Sequence, residues 1–571
     1  LAGGAVLRHA LGLEGSVWGG PVSVVGSGWA ADLVTRATTT PPEPLDGPDG
    51  FVGRLRDYQA AARGWLAFLD DAGLGGCLAM DMGLGKTPTL LAHILATKDR
   101  GPTLVVAPPA VLGNWAAEAA RFTPGLRVVV HHGPERDGAA GLEAAAAGAD
   151  LVLTTYGTGV RDVDGLAAVG WDRLVVDEAQ AIKNPASETA QTLRRIPARS
   201  RLALTGTPVE NGLSDLWAIL DFTNPGLVGP RTAFVEQLGA ARDGRAPAAE
   251  APSEGGISPA GGPPAGPPAG PLAGPPQVGT GEGALRALNG LLVFRRTKAE
   301  PAIAAELPDK IDELDHCAMT PEQIGLYQAI LDRLLSADAD EDRKGRQIQI
   351  LAAITALKQV CNHPAAYLTD DRGPLAGRSG KLERLEEIVD NVMEAGERVL
   401  VFTHFARWAE RLAGHLGARI GQPVACYHGG LTRAVRDRMI EEFQEGRGPG
   451  VLVLSLKAGG AGLNLTAANH VVLYDRWWNP AVEDQARDRV WRIGQSRGVV
   501  SHRLVCPGTV DERVEEVVAG KRRIADLVLP RSSSLGDLEP EQLRTALGLG
   551  PGTLALDAGD EASPADEETA A

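Results

Sequence analysis

The chain has 571 residues, enough for about two to four domains with a large buried core. Its hydrophobic content of 44% and charged content of 22% are those of an ordinary globular protein. No apolar run reaches the roughly 18 residues that a membrane helix needs. The formal net charge of −16 excludes a uniformly basic nucleic-acid-binding protein.

The negative charge is unevenly distributed along the chain. Residues 531–571 contain nine acidic residues and two arginines, so this tail alone carries a net charge of −7. Basic residues gather at three places, namely Arg295 to Lys298, Arg487 to Arg497 and Lys521 to Arg523. Because local fields decide which ligands bind, a nucleic-acid partner is compatible with this distribution.

The beginning of the chain and its cysteines indicate a cytoplasmic protein. Residues 1–50 form an N-terminal flank that begins at Leu1 rather than methionine, so we expect a processed or truncated chain. Glycine, arginine and histidine interrupt the apolar residues of this flank, which therefore lacks the pattern of a signal peptide. The five cysteines include no CxxC pair, which favours reduced thiols over disulfides or structural zinc.

Buried strands are predicted through residues 51–240, the first predicted lobe. Alanine-rich segments of helical length separate these short apolar runs, as in a parallel sheet with crossover helices. The sequence therefore predicts an α/β lobe. The predicted strands are Thr103–Pro108, Leu151–Tyr156, Arg173–Ala179 and Arg201–Thr207.

Ahead of these strands, the apolar segment Cys77–Met80 leads into a phosphate-binding motif, DMGLGKT, at Asp81 to Thr87. Glycines allow backbone N–H groups to approach phosphate oxygens, Lys86 can reach the β- and γ-phosphates, and the Thr87 hydroxyl can bind Mg²⁺. Met80 stands where a strict motif of this kind has its first glycine. Upstream, Gln59 is a candidate for recognising adenine. The predicted nucleotide-binding residues of the loop itself are Met82, Gly83, Leu84, Gly85, Lys86 and Thr87.

Two later strand ends carry further candidate catalytic groups. The motif DEAQ follows a buried strand, with Asp177 as the predicted metal ligand, Glu178 as the general base and Gln180 as a further catalytic candidate. The motif LTGTPVEN follows the next strand, and its residues Thr205 to Thr207 are candidates for sensing the γ-phosphate and signalling to a polymer site.

Two segments have compositions that cannot build a core. Residues 241–283 are rich in proline, glycine and alanine, and we interpret them as a flexible insertion, with a ligand for a polyproline-binding partner as the alternative. The acidic tail, residues 531–571, is predicted to be disordered after one short helix. It either solubilises the chain or mimics nucleic acid as an autoinhibitor.

A second lobe of the same character is predicted at residues 379–530, after a helical connecting region at 284–378. Its predicted strands are Arg398–His404, Val451–Leu456, His470–Asp475 and His502–Cys506. The predicted fold class is therefore α/β, with two parallel-sheet lobes in tandem joined by helical connecting insertions.

The second lobe also carries candidate functional residues. The glycine-dense segment Ser455 to Thr466 suits backbone contact with phosphates, with a plain loop as the alternative. Trp477 and Trp478 are either core aromatics or a wedge beside a DNA groove. Arg489 and Arg492 lie three residues apart, so on a helix they share one face. They are either surface ion-pairing groups or arginine fingers that act on the nucleotide.

The motifs occur in an order that resembles the Swi/Snf-type ATPases of helicase superfamily two, in their bacterial form. The resemblance covers about Leu55 to Leu529, except that relatives have a more ordinary helical segment in place of the proline-glycine insertion, and usually an acid at Met80. The motifs are DMGLGKT, DEAQ, LTGTPVEN, FRRTK (294–298), CNHP (361–364), SGK (379–381), YHGGL (427–431), AGGAGLNLT (458–466), DRWWNP (475–480) and QARDRVWRIGQ (485–495).

The resemblance implies two RecA-like lobes that hydrolyse ATP with Mg²⁺ and move along double-stranded DNA without separating its strands. It places Gln59 at the adenine, and Lys86 and Gly462 among the nucleotide-binding residues. Arg489 and Arg492 become the arginine fingers. The residues implied to couple nucleotide state to DNA binding, or to contact DNA, are Thr205, Gly206, Thr207, Gly459, Gly460, Asn464 and Trp478.

Three functional hypotheses follow. The first is a monomeric, nucleoid-associated DNA-dependent ATPase that remodels protein–DNA complexes. The second is a strand-separating or RNA-directed helicase on the same scaffold. The third is a scaffold with an inactive nucleotide fold, which the intact Lys86, Asp177 and Glu178 disfavour.

Overall fold

The computed structural model describes residues 43–109, 111–133, 136, 138–206, 213–235, 291–336, 343–368, 373–456, 463–478, 480–518 and 547–549. The chain divides into two compact units, Leu1–Glu300 and Pro301–Ala571. Most of the N-terminal flank, all of the proline-glycine insertion and most of the acidic tail lie outside the described residues. Among the helices of the described segments, none has the length and apolar character needed to cross a bilayer.

The first unit contains a seven-stranded parallel sheet in the order β3-β4-β2-β5-β6-β1-β7. Strands β1, β2, β4 and β5 are buried along their whole length, as the continuous apolar runs predicted. All four strands predicted for this lobe are confirmed, and the apolar segment Cys77–Met80 belongs to a further strand, β1. The strands are β1 Gly76–Met80, β2 Thr103–Ala107, β3 Val128–His131, β4 Leu151–Thr155, β5 Trp171–Asp177, β6 Ala198–Leu204 and β7 Val293–Arg296.

Helices connect these strands, as crossover connections between parallel strands require. Helix α7, for example, begins after Ser187, whose hydroxyl accepts the backbone N–H of Ala190. The α-helices are α1 Asp57–Ala72, α2 Lys86–Ala96, α3 Leu112–Phe122, α4 Ala139–Ala147, α5 Tyr156–Arg161, α6 Val163–Ala168, α7 Glu188–Arg194 and α8 Leu213–Thr223. Short 3₁₀ helices span Lys98–Arg100 and Ala179–Ile182.

The second unit contains a six-stranded parallel sheet in the order β10-β11-β9-β12-β13-β8. All four strands predicted for this lobe are confirmed. The strands are β8 Lys310–His316, β9 Val399–Thr403, β10 Ala425–Tyr427, β11 Val451–Ser455, β12 His470–Leu473 and β13 Val499–Val505. The helices are α9 Pro301–Ala304, α10 Pro321–Leu335, α11 Arg343–Asn362, α12 Pro364–Tyr367, α13 Gly380–Glu394, α14 Ala406–Ile420, α15 Arg433–Gln444, α16 Pro480–Arg487 and α17 Val510–Val518.

Residues 284–378, predicted as a helical connecting region, contain strands as well as helices. Strand β7 joins the first sheet beside β1, and β8 joins the second sheet beside β13. Helix α10 begins at a capping box, in which Thr320 and Gln323 satisfy each other's backbone N–H groups. Helices α10 and α11 form a hydrophobic cluster of their own with the end of β13. This segment therefore contributes structure to both units.

A buried ion network joins α1 to the middle of the first sheet. The Asp70 carboxylate lies 2.6 Å from the Arg173 guanidinium, which is fully buried, and 2.9 Å from His93 Nε2. Burial alone would raise the pKa of Asp70. The hydrogen bond from His93 and the charges of Arg173 and Arg199 outweigh burial and hold this pKa well below its usual range.

Replacing Asp70 by Asn should destabilise the first unit by about 3 kcal/mol, because the buried Arg173 loses its nearest carboxylate. Urea unfolding followed by circular dichroism measures the effect. Asp71 is the matched control, since 80% of its side chain is exposed, and Asp71→Asn should change stability by less than about 0.5 kcal/mol.

The Asp70 contribution also has a defined pH dependence. Its folded-state pKa is lowered, so the stabilisation is present at neutral pH and is lost as the pH falls below about 4, the ordinary value of this carboxyl group. Asp70→Asn should remove that part of the acid sensitivity. Equal effects of the Asp70 and Asp71 substitutions at all pH values would contradict the assignment.

Candidate active site

The phosphate-binding motif forms a tight loop between β1 and α2. Strand β1 ends at Met80, and α2 begins at Lys86, directly after the loop. Gly83 and Gly85 have φ angles of 82° and 80°, in the left-handed region that favours glycine. A Cβ atom at position 85 would lie 2.4 Å from Gln59 Nε2, so a larger residue would displace this amide group from its place against the loop.

The Gln59 side chain holds this loop in place through hydrogen bonds. Its amide nitrogen donates to the Leu84 carbonyl over 3.0 Å, and its carbonyl oxygen accepts the backbone N–H of Arg56. The Tyr58 hydroxyl donates to the same Leu84 carbonyl over 3.1 Å. The structure thus gives Gln59 a role in holding the loop, and its recognition of adenine stays a prediction.

Lys86 and Thr87 occupy the first turn of α2. The Lys86 ammonium group lies 2.7 Å from the Met80 carbonyl and 3.4 Å from the Asp81 carbonyl, so it is bound to its own loop. A phosphate at this place would be a further acceptor for the same ammonium group, which has three N–H donors. Backbone N–H groups at a helix N-terminus favour a negatively charged ligand at the same place.

The DEAQ motif follows β5, and its first carboxylate is buried. Asp177 Oδ2 accepts the Trp115 indole N–H over 2.8 Å, and Oδ1 accepts the backbone N–H of Glu178 over 2.8 Å. Burial, together with the nearby Glu178 carboxylate, raises the pKa of Asp177 to about 6. The Trp115 hydrogen bond and the positive charge of Lys86 limit this rise.

Glu178 is held in an unusual backbone conformation. Its φ of 52° is the one positive value for a non-glycine residue within the described segments. The Tyr156 hydroxyl donates to the preceding Asp177 carbonyl over 2.7 Å, and Gln180 Nε2 donates to Glu178 Oε2 over 2.9 Å. Backbone strain of this kind concentrates at functional sites, where surrounding contacts enforce it.

The structure brings the two predicted halves of the first-lobe site together. Strand β6 lies between β1 and β5, so the loop after β1 and the DEAQ motif after β5 share one edge of the sheet. The influence of Lys86 on the pKa of Asp177 agrees with this arrangement. All strands are parallel, and their carboxyl ends therefore meet at this edge.

The segment after β6 packs against the phosphate-binding loop. Thr205 is fully buried, and its backbone N–H donates to the Leu78 carbonyl over 3.2 Å. Gly206 lies against Met82, because a Cβ atom at Gly206 would be 3.2 Å from Met82 Cγ. Thr207, the third predicted residue of this motif, lies outside the described residues.

Sequence reasoning missed several residues that shape this site. Trp115 and Tyr156 fix the Asp177 backbone and carboxylate, and neither stands in a motif that predicts contact with DEAQ. Arg295 forms an ion pair with Asp81 over 2.7 Å, and the Lys298 backbone N–H donates to the same carboxylate. Arg295 and Lys298 both belong to FRRTK, so this motif was the sequence signal that could have identified them.

The candidate arginines of the second unit do not share a helix. The prediction of a helix through Arg489 and Arg492 is wrong, because α16 ends at Arg487. The backbone N–H groups of Arg489 and Val490 bond to carbonyls three residues back, which tightens the chain into turns. Arg489 is 2% exposed, whereas Arg492 is partly exposed and donates to the Leu463 carbonyl over 3.4 Å.

The other second-unit candidates are only partly within the described residues. Gly459, Gly460 and Gly462 lie outside them, whereas Asn464 is exposed. The next residue, Leu465, donates its backbone N–H to the Arg489 carbonyl over 3.2 Å, so the end of the glycine-dense motif adjoins the arginine segment. Trp478 is partly buried against the cluster formed by α10 and α11.

Other motifs of the second unit form a buried polar network. Asp475 accepts the Thr403 hydroxyl over 2.5 Å and the His404 backbone N–H over 2.9 Å, and it also accepts the Asn362 side-chain amide. Lys381 pairs with Asp511 over 2.5 Å, and both side chains are fully buried. The network joins DRWWNP, CNHP and SGK to the end of β9.

Two family models match this chain in succession. The model of the SNF2-related domain matches residues 58–366, and that of the helicase conserved C-terminal domain matches residues 380–494. A Bacillus subtilis relative, YwqA, is described by its name as an ATP-dependent helicase/translocase. It is 37% identical over 498 residues, covering 86% of this chain and 50% of YwqA.

More distant relatives include the Saccharomyces cerevisiae ISWI chromatin-remodeling complex ATPase ISW2. It is 31% identical, and the match covers 86% of this chain and 43% of ISW2. A solved Sulfolobus solfataricus SWI2/SNF2 ATPase core in complex with dsDNA is 32% identical, covering 90% of this chain and all of that one, with a TM-score of 0.40.

This chain spans about half the length of the two curated relatives described above. The SNF2-related domain alone matches more than half of its residues, and the helicase conserved C-terminal domain follows in the expected order. The chain belongs to the SNF2-related family of helicase-like ATPases.

Proposed function

We propose that this chain hydrolyses ATP and uses the energy to move along double-stranded DNA without separating its strands. The observation that supports hydrolysis is the shared sheet edge of Lys86 and the Asp177–Glu178 pair. ATP hydrolysis requires a cationic group that binds phosphate, a buried carboxylate that binds the metal ion, and an adjacent general base.

The residues present suit a Mg²⁺ ion. Asp177 offers a carboxylate and Thr87 a hydroxyl, and oxygen ligands of this kind are those that Mg²⁺ prefers. Burial raises the pKa of Asp177 to about 6, so at neutral pH its carboxylate is ionised in a place that favours a positive partner. When bound, Mg²⁺ neutralises charge on the phosphates and orients them.

In this proposal Lys86 binds the β- and γ-phosphates, while Met82 to Gly85 supply backbone contacts. Glu178 accepts a proton from the attacking water, and Gln180 fixes the direction of the Glu178 carboxylate through its 2.9 Å hydrogen bond. The backbone conformation of Glu178 sets that direction as well. Arg489 and Arg492 act as arginine fingers on the transferred phosphoryl group.

The polymer part of the proposal has separate support. The name of YwqA describes a helicase/translocase, and that of ISW2 describes a chromatin-remodeling ATPase. We therefore propose duplex DNA as the track, with Thr205, Gly206, Asn464 and Trp478 among its contacts, and protein–DNA complexes as the objects remodelled. We further propose that the protein acts as a monomer in the cytoplasm, at the nucleoid.

Two substitutions test the chemistry. Glu178→Gln should lower ATP turnover by about 100-fold or more while Mg²⁺-ATP still binds, because only the base is removed. Lys86→Ala should weaken nucleotide binding itself, since the ammonium group that binds the phosphates is lost. Phosphate release and fluorescent-nucleotide titration measure the two effects. A Glu178→Gln variant with normal turnover contradicts the assigned base.

Arg492 gives the test of the arginine fingers, because it is the less buried of the pair. Arg492→Ala should reduce ATP turnover by about 1,000-fold with little change in nucleotide affinity. Arg497 is exposed nearby and serves as the control, so Arg497→Ala should behave as wild type. Equal turnover of the two variants would exclude Arg492 from the catalytic groups.

Duplex movement is tested with two DNA substrates. ATP-driven displacement of a third strand from a triplex should occur, whereas a forked duplex should stay paired, because translocation does not unwind it. Duplex affinity should fall with salt by a slope of about 0.9 per phosphate contact. Unwinding of the fork, or stimulation by RNA instead of duplex DNA, would support the strand-separating or RNA-directed alternative.

A further inference from the structure

Arg295, in β7, contacts three separate parts of the first unit with one guanidinium group. Its Nη1 donates to the Ala79 carbonyl over 2.9 Å and to the Gly206 carbonyl over 2.8 Å. Its Nη2 pairs with Asp81 Oδ1 over 2.7 Å. Because the guanidinium is planar and rigid, these contacts fix the distances between their partners.

The three partners belong to elements with different proposed roles. Ala79 lies in β1, Asp81 is the first residue of the phosphate-binding loop, and Gly206 lies in the segment after β6. That segment also packs directly on the loop, through Gly206 and Met82. Arg295 is therefore a second link between the same two segments.

Asp81 is well placed to pass a change in the loop to Arg295. Its carbonyl lies 3.4 Å from the Lys86 ammonium group, and its carboxylate accepts both Arg295 and the Lys298 backbone N–H. Its own backbone N–H donates to the Arg296 carbonyl over 3.0 Å. A phosphate that draws Lys86 away from the Asp81 carbonyl would change the hydrogen bonding of Asp81.

We propose that Arg295 is a positioning residue that couples the phosphate-binding loop to the segment after β6. The coupling runs from Lys86 through Asp81 and the Arg295 guanidinium to the Gly206 carbonyl. It makes the DNA response of the ATPase depend on a residue that contacts neither the nucleotide nor the reacting atoms. This inference rests on the proposed DNA-stimulated ATPase and names an additional residue for it.

The test compares Arg295→Gln with Arg296→Gln. The Arg296 side chain contacts the Phe294 ring, Glu300 and the Arg295 backbone carbonyl. None of these is a contact of the Arg295 guanidinium group, so Arg296→Gln keeps the side chain under test. ATP turnover is measured with and without duplex DNA, together with fluorescent-nucleotide affinity and the thermal midpoint. Arg295→Gln should lower the ratio of turnover with DNA to turnover without it by about tenfold, within the usual range for coupled sites.

Arg295→Lys separates charge from geometry. A lysine keeps the ion pair with Asp81 but cannot present a planar fork to two carbonyls as well, so the stimulation ratio should still fall. Nucleotide affinity should stay within about threefold of wild type, as expected when the chemical groups are unchanged. If Arg295→Gln proves too unstable to assay, the same ratio measured for Arg295→Lys decides the question.

Other outcomes distinguish a failure of the coupling role from a failure of the proposed function. Wild-type protein that ignores DNA would contradict the proposed function, whatever Arg295 does. Stimulated wild-type protein with an unchanged ratio in both Arg295 variants would overturn the coupling role. A parallel fall of turnover with and without DNA would also overturn it, because Arg295 would then support only the loop.

Discussion

The candidate site depends on a carboxylate held where solvent cannot stabilise its charge. Asp177 ends a strand that is buried along its whole length, and the Trp115 indole and a backbone N–H are its hydrogen-bond donors. The nearby Glu178 charge opposes its ionisation, and the Lys86 charge favours it. A bound divalent cation would favour the ionised form of Asp177.

Strand burial explains which parts of the fold the sequence could predict. The eight strands predicted from apolar runs lie in the interiors of the two sheets, together with β1, which the apolar segment Cys77–Met80 forms. The remaining four strands, β3, β7, β8 and β10, form the four edges. Edge strands are shielded on one side only and therefore tolerate charged residues, as in β7 (VFRR) and β8 (KIDELDH). Strands β3 (VVVH) and β10 (ACY) are apolar but only four and three residues long.

The candidate site was also predictable where its residues follow interior strands, and not where it depends on supporting contacts. Lys86, Asp177 and Glu178 follow interior strands, and parallel topology alone brings such strand ends together. The supporting contacts were not predictable, because Trp115 lies 62 residues from Asp177 and Arg295 lies 89 residues from Gly206. No periodicity connects residues at such separations. The turn after Arg487 was missed because residue spacing does not reveal where a helix tightens and ends.

The left-handed backbone at Glu178 has an evolutionary consequence. For a residue with a Cβ atom this conformation costs about 1 kcal/mol relative to glycine, and asparagine also tolerates it better than glutamate. Random mutation at this codon can therefore gain folding stability while it removes the carboxylate. Under the proposed role of Glu178 as general base, selection for turnover retains the acid. In a descendant that no longer needs to hydrolyse ATP, this position should drift to glycine or asparagine. The residue found here can therefore distinguish homologues with ATPase activity from those without it.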